Sequence, residues 1–286
     1  MRKVRIAILI FFLIVAAVFA YTFVKRRISV DYSAPVIEAD SDTLMVSIKA
    51  TEEDLLKGMR AIDNIDGDVT RTLVVVSKSK FVSRATLHVN YAAFDGNNNV
   101  GTYTREVTYV DYVSPRFHLY SPLRYASGTT GNDFLERMTA EDCLDGNITQ
   151  QIKINLGKTT AISSTSTIQD MNIQVTNSCG DSSVLELQIS MEDYLQYSQQ
   201  APALREYIAY VPKSGVIDLR SYLIGIWAAG SVRSFADTKV DPNERITVDR
   251  NGLDLNTPGR YDVIFRLTGE SGEALGTATL IVIVEE

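Results

Sequence analysis

Between residues 86 and 109 apolar and polar positions alternate almost one for one. Leu87, Val89, Tyr91 and Ala93 stand against Thr86, His88, Asn90 and Ala92, and after a break Tyr103, Arg105, Val107 and Tyr109 resume the pattern between Thr and Glu. The same period of two runs through Leu185, Leu187, Ile189 and Met191, through Tyr261, Val263, Phe265 and Leu267, and through Ala278, Leu280, Val282 and Val284. Period-two alternation bounded by Gly, Asn, Asp and Ser predicts half-buried antiparallel strands joined as hairpins. The breaks themselves are turn chemistry, as in Asp95–Val100 (DGNNNV), Cys179–Val184 (CGDSSV) and Gly269–Gly272, where Gly supplies positive φ and Asp or Asn bonds nearby backbone. Helical patterning is confined to short pieces. Thr51–Met59 has Thr51 as its cap and acids in its first turn. Asp133–Thr139 and Ser221–Ala229 are two more such pieces.

The pattern repeats on a larger scale. Pro35, Pro115 and Pro202 each open an extended stretch, and an Asp-Tyr dipeptide stands before two of them, at Asp111-Tyr112 and Asp193-Tyr194. Ala61–Thr70 (AIDNIDGDVT) matches Ala140–Thr149 (AEDCLDGNIT), with Ala, Asp, Asp, Gly and Thr at the same places. Units of about 80 residues ending in a hairpin suit small β-sandwiches. The chain therefore reads as all-β: tandem Ig-like β-sandwich domains following one N-terminal transmembrane helix. Its expected organisation is a cytoplasmic tip and signal anchor at 1–27, a linker at 28–34, Ig-like domains at 35–112 and 113–194, a hinge-like linker at 195–201, and a divergent Ig-like domain at 202–286.

The segment Asp-x-x-Asp-Gly-Asp/Asn-Val/Ile-Thr, followed by a strand and an Asp-Gly-Asn turn, resembles the Ig-like modules repeated in surface proteins of Gram-positive bacteria. TPGRYDVIFRL and TATLIVIVE in the last unit are similar to the closing hairpin of such modules, although Asp237–Val248 replaces the Asp-Gly-Asp segment there. The resemblance covers roughly residues 35–286. It implies a β-sandwich fold, an extracellular location and adhesive or spacer roles, without a single ligand.

The first 27 residues change the picture. Ile6–Val24 carries no charge, and at about 1.5 Å per residue a helix of that length spans about 28 Å, close to the hydrocarbon thickness of a bilayer. The apolar run continues past Val18-Phe19-Ala20, so an uncleaved signal anchor fits better than a cleaved signal peptide. Basic residues flank it on both sides, so charge alone orients it weakly. The sandwiches are expected outside the cell membrane, with the single helix as the membrane contact. Six of the 28 Lys+Arg precede residue 28, whereas all 35 Asp+Glu follow it. So acidic a chain repels phosphate backbones, and nucleic acid is excluded as a partner.

Candidate chemistry is sparse. Cys143 and Cys179 are the only cysteines, both in the second unit, where the repeat alignment sets them against Asn64 and Asp95. A disulfide is expected there, worth about 4 kcal/mol by loop closure. Asp63, Asp66, Asp68 and Asp95 supply carboxylates of the kind Ca²⁺ takes, but their spacing departs from the EF-hand loop, and Asx-turn chemistry is the favoured reading. No metal or other cofactor is expected. His88 and His118 are the only histidines and neither stands near a serine or cysteine motif, so the chain is not expected to be an enzyme. Trp227, Tyr207 and Tyr210, in the last unit, are the candidate ligand-binding residues, because aromatic rings stack on sugars and anchor interfaces. The functional expectation is a non-catalytic surface stalk or adhesion protein. The alternative is a glycan- or cell-wall-binding module, or an accessory subunit of an envelope assembly, with its site in the distal domain.

Overall fold

The computed structural model describes residues 2–28, 31–128 and 134–286. Two compact units make up the chain, Met1–Tyr112 and Val113–Glu286. The first begins with an α-helix over Arg2–Ile28, whose stretch Val4–Val24 is long and apolar enough to cross a membrane, with a mean hydropathy of 2.8. None of that span is buried against protein, and Phe11, Phe12 and Phe19 are each more than two-thirds exposed.

The strands of residues 36–109 form a β-sandwich of a three-stranded and a four-stranded sheet. The smaller sheet orders Val36–Ala39, Met59–Asp63 and Gly67–Asp68; the larger orders Thr43–Val46, Val100–Tyr109, Thr86–Phe94 and Val74–Ser83. Thr43–Val46 runs parallel to Val100–Tyr109, and every other pair is antiparallel. The alternation read in the sequence is the alternation of burial: Leu87, Val89, Tyr91 and Val107 are closed from solvent, while His88 faces it. Tyr91 donates its hydroxyl to the Leu55 carbonyl, so the buried ring leaves no unpaired polar atom. Thr51 caps a helix as expected, but only over Glu52–Leu55, and Gly58 at φ +72 turns the chain into the Met59 strand.

Val113–Glu286 repeats that plan twice. Its strands pair as Gly146–Asn147, Met138–Asp142 and Arg116–Leu119 against Lys153–Ala161, Thr167–Thr176, Ser182–Glu192 and Arg124–Ala126. They pair again as Ala201–Leu204, Leu223–Ala228 and Ser231–Arg233 against Ile208–Pro212, Ala274–Glu285, Gly259–Thr268 and Ile246–Asp249. In each copy the short strand at the edge of the larger sheet runs parallel to the closing strand. The divergent segment of the last copy therefore keeps the topology of the others.

Two local expectations give way. Ser221–Ala229 is a 3-10 turn at Leu219–Tyr222 followed by the strand Leu223–Ala228, because its β-branched and aromatic residues pair with Ala201–Leu204. In Asp133–Thr139 only Phe134–Glu136 is a 3-10 turn before the strand at Met138; Asp133 itself lies outside the described residues. The segment 195–201, expected as a hinge-like linker, is partly helical. Asp193 caps a helix over Tyr194–Tyr197, Arg124 donates to the Gln196 carbonyl, and the next strand starts at Ala201. The two sandwiches of this unit share one apolar core running from Phe117 through Ile189 and Tyr207 to Val284.

Candidate functional site

Among the described residues, chemically notable side chains gather at two places, one in each unit. In the second unit a cleft of about 910 Å³ opens between the two sandwiches, lined among others by Arg124, Asn172, Gln188, Trp227, Arg260 and Asp262. Polar links hold the two sandwiches of this unit together. Arg116 forms a two-pronged ion pair with Glu285 at 3.0 and 2.5 Å. The Phe117 N–H donates to the Tyr210 hydroxyl at 2.9 Å, and the Tyr207 N–H donates to the Leu119 carbonyl at 2.8 Å. Burial pushes the Tyr210 phenol up to about 12. His118 Nδ1 meets Glu206 Oε1 at 2.5 Å, and the Glu206 carboxylate raises the imidazole's pKa despite its partial burial.

The three aromatic candidates thus lie in or beside this junction. Trp227 is only 2 % exposed: Arg124 lies over its ring at 4.6 Å while pairing with Glu192, and Tyr197 meets it edge-on at 5.2 Å. Tyr207 is buried as well, and Tyr210 is held by Phe117 and covered by Arg116. They are joint residues, not a free aromatic platform. Trp227 and Tyr207 still contribute to the cleft wall, whose polar rim comes from Asn155, Asp170, Asn172, Gln188, Arg260 and Asp262. Sequence reasoning missed those rim residues because period-two strands only mark them as outward-facing.

The second place is a pair of turns in the first unit. Asp63 Oδ1 accepts the Ile65 and Asp66 N–H groups, both at 2.8 Å, which hold the Asp63 carboxyl below its ordinary pKa. Asp66 Oδ2 reaches across to the Gly96 N–H at 2.6 Å, and Asp68 Oδ1 accepts from Thr70 at 2.9 Å. Asp95 Oδ1 closes its own turn on the Asn97 and Asn99 N–H groups at 2.9 and 2.7 Å. Of the four carboxylates singled out in the sequence, Asp66 and Asp68 are spent on turn geometry. Asp63 and Asp95 instead converge, together with Asp31, so that one oxygen from each lies within 4.8 Å of the others. All three side chains are buried. The signal for Asp31 was present: Asp31-Tyr32 precedes Pro35 by the same spacing as Asp111-Tyr112 precedes Pro115.

The second sandwich carries the same turn pair, and it corrects the cysteine reading. Asn177, not Cys179, stands where Asp95 does, because the Asn177 N–H to Asp181 carbonyl bond repeats the Asp95 to Asn99 bond. Cys143 and Cys179 are separate thiols and the expected disulfide is not formed. The Cys143 thiol donates to the Val113 carbonyl at 3.1 Å. The two turns are joined instead by Asp145, which accepts the Ser178 N–H at 2.6 Å and its hydroxyl at 2.7 Å.

No family model matches the chain. Among curated proteins it is similar to the pesticidal crystal protein Cry22Aa of Bacillus thuringiensis, 22 % identical over 260 residues covering 89 % of this chain. The chain spans about a third (34 %) of that relative's length. Among solved structures it is similar to the CBM51-2 and INT domains of Clostridium perfringens ZmpB in complex with GlcNAc, at 18 % identity, covering 50 % of this chain and 29 % of that one, with a TM-score of 0.22. It is also similar to human CDH23 EC21-23, at 12 % identity, covering 88 % of this chain and all (100 %) of that one, with a TM-score of 0.21.

Proposed function

We propose that this is a membrane-anchored, non-catalytic surface protein of a bacterium, in which one N-terminal helix tethers Ig-like β-sandwiches outside the cell membrane as a stalk or adhesion element. The observation that carries this reading is the helix Arg2–Ile28, in which the described apolar side chains between Val4 and Val24 are exposed and none is buried against protein. A helix apolar on every face is at home only in a core or a bilayer. The chain that follows is acidic and built from repeated sandwiches. The two histidines support a non-catalytic role, since His118 is committed to Glu206 and His88 sits on an outer sheet face. Carbonate washing of membranes from expressing cells tests the anchor. The full chain stays in the pellet and a chain lacking residues 1–27 moves to the supernatant; release of the full chain would contradict the reading.

The cleft of the second unit favours a second reading, in which the protein grips a polar polymer such as an envelope glycan. Amide, guanidinium and carboxylate groups around an aromatic-backed groove match the hydrogen-bonding needs of sugar hydroxyls. Under that reading a saturable association with cell-wall polysaccharide weakens at least about tenfold in Asn172→Ala and Gln188→Ala, the loss of one or two good hydrogen bonds. Equal association of these variants and the parent would leave the stalk reading alone.

A further inference from the structure

We propose that Asp31, Asp63 and Asp95 form a calcium-binding site in the first sandwich. Each of the three commits Oδ1 to its own turn: Asp31 to the Ser33 N–H at 2.9 Å, Asp63 to Ile65 and Asp66, and Asp95 to Asn97 and Asn99. That leaves the Oδ2 atoms. Asp95 Oδ2 accepts the Asn99 amide at 2.6 Å, but Asp31 Oδ2 and Asp63 Oδ2 are buried and no donor among the described residues reaches them. Asp31 is 6 % exposed and Asp63 4 %, so water does not solvate them from outside. Among the described residues no lysine, arginine or histidine forms an ion pair with any of the three. Buried carboxylates at this spacing repel one another and require a counter-charge or a proton.

The second sandwich shows what the first one lacks. There Asp142 Oδ1 accepts the Leu144 and Asp145 N–H groups as Asp63 accepts its own, and Asn177 Oδ1 accepts Asp181 N–H as Asp95 accepts Asn99. The Asn177 amide then donates to Asp142 Oδ2 at 3.1 Å, in a buried bond that satisfies the second carboxylate oxygen. In the first sandwich the residue in that place is Asp95, which when ionised has no hydrogen to give. One substitution between copies turns a closed donor–acceptor pair into acceptors facing each other.

The donor set selects the ion. It is all oxygen, with no sulfur or imidazole among the three, which points away from zinc and copper. Oxygens all lying within 4.8 Å of one another fit around Ca²⁺, whose bonds of about 2.3–2.6 Å let ligands sit up to about 5 Å apart across the ion. Mg²⁺ demands near-octahedral geometry and holds its waters, so it is seldom bound by a site built of protein oxygens alone. Water completes the larger shell of calcium. Such an ion would fasten the segment at Asp31, just beyond the helix end at Ile28, to both turns of the sandwich. The site needs only first-unit residues and does not depend on the surface reading.

The test uses the full chain in neutral detergent micelles after chelator treatment, with CaCl₂ as titrant in calorimetry and thermal melts. One saturable site with a Kd at or below about 10⁻³ M and a rise of several degrees in the first-unit melt are expected. Asp95→Asn rebuilds the amide–carboxylate pair of the second sandwich, so it folds and loses both responses, as does Asp63→Asn. Asp142→Asn, in the other sandwich, keeps both. Absence of saturable binding by the parent, or unchanged binding in Asp95→Asn and Asp63→Asn, would overturn the site. An equal response to MgCl₂ at the same concentration would overturn the assignment to calcium.

Discussion

Gly101 is placed where a β-carbon would lie 1.9 Å from the Pro35 carbonyl oxygen, so the closing strand of the first sandwich crosses its opening strand with no side chain between them. The second sandwich solves the same crossing with Ser183, whose hydroxyl donates to the Pro115 carbonyl at 2.5 Å. In the third, Gly276 passes the Gln200 carbonyl, which an added β-carbon would approach to 2.4 Å. Gly101→Ala is expected to destabilise the first sandwich by about 2–4 kcal/mol, because backbone, not a flexible side chain, must move. A loss below about 0.5 kcal/mol in chemical denaturation would show that the strands part easily. The cysteines belong to the same scale. The sequence pairs them only through an alignment that slips by two residues, since CGDSSV resembles DGNNNV while the hydrogen bonds match Asn177 to Asp95. Both thiols of unreduced protein are therefore expected to alkylate in denaturant, and reductant to leave the melting temperature unchanged; two blocked thiols would restore the disulfide. The carboxylate cluster was half legible. Asp63 and Asp95 stand out in the repeat, whereas Asp31 is marked only by the Asp-Tyr spacing before Pro35 and meets the other two only once the strands pair.

At the scale of elements, strands were the most readable feature, because a face of Leu87, Val89 and Tyr91 or of Val263, Phe265 and Leu267 is buried in the register its period demands. Short apolar runs were not, since LIGIWA has no period that separates a helical turn from a buried strand, and its pairing with Ala201–Leu204 decides the matter. The tie between strand Arg116–Leu119 and the turn at Glu206 was also invisible, as His118 and Glu206 lie far apart in sequence. It carries a pH dependence. His118 is partly buried, with Glu206 at 2.5 Å, Glu141 at 4.0 Å and Tyr120 stacked on its ring, while Arg116 opposes its charge. Its folded pKa is raised, so the stabilisation is complete below the unfolded value of about 6.5 and is lost as pH rises through the folded value. The second unit is expected to melt lower at pH 8.5 than at pH 6, and His118→Gln to remove most of that difference. A pH response equal in the parent and His118→Gln would assign it to other groups.

At the scale of the whole molecule, three copies of one strand order are distributed over two compact units. The repeat was legible because turn residues recur at fixed spacing. The merging of the last two copies was not, because it depends on Arg116–Glu285, Tyr210–Phe117 and the burial of Trp227, none of which leaves a periodic trace. Denaturant unfolding of Val113–Glu286 within the full chain is expected to be one cooperative transition followed alike by Trp227 fluorescence, which reports the last sandwich, and by the alkylation rate of Cys179, which reports the one before it. Separate midpoints for the two probes would mean that the sandwiches are independent. The claim that matters most is where these sandwiches stand relative to the membrane, and the exposed Cys143 thiol in the second unit reports on it. Intact expressing cells should be treated with a membrane-impermeant maleimide, then compared with lysed cells, using Cys179→Ser to isolate the Cys143 signal. The account predicts labelling of Cys143 in intact cells equal to that after lysis. Labelling only after lysis would place the sandwiches on the inner side and contradict it.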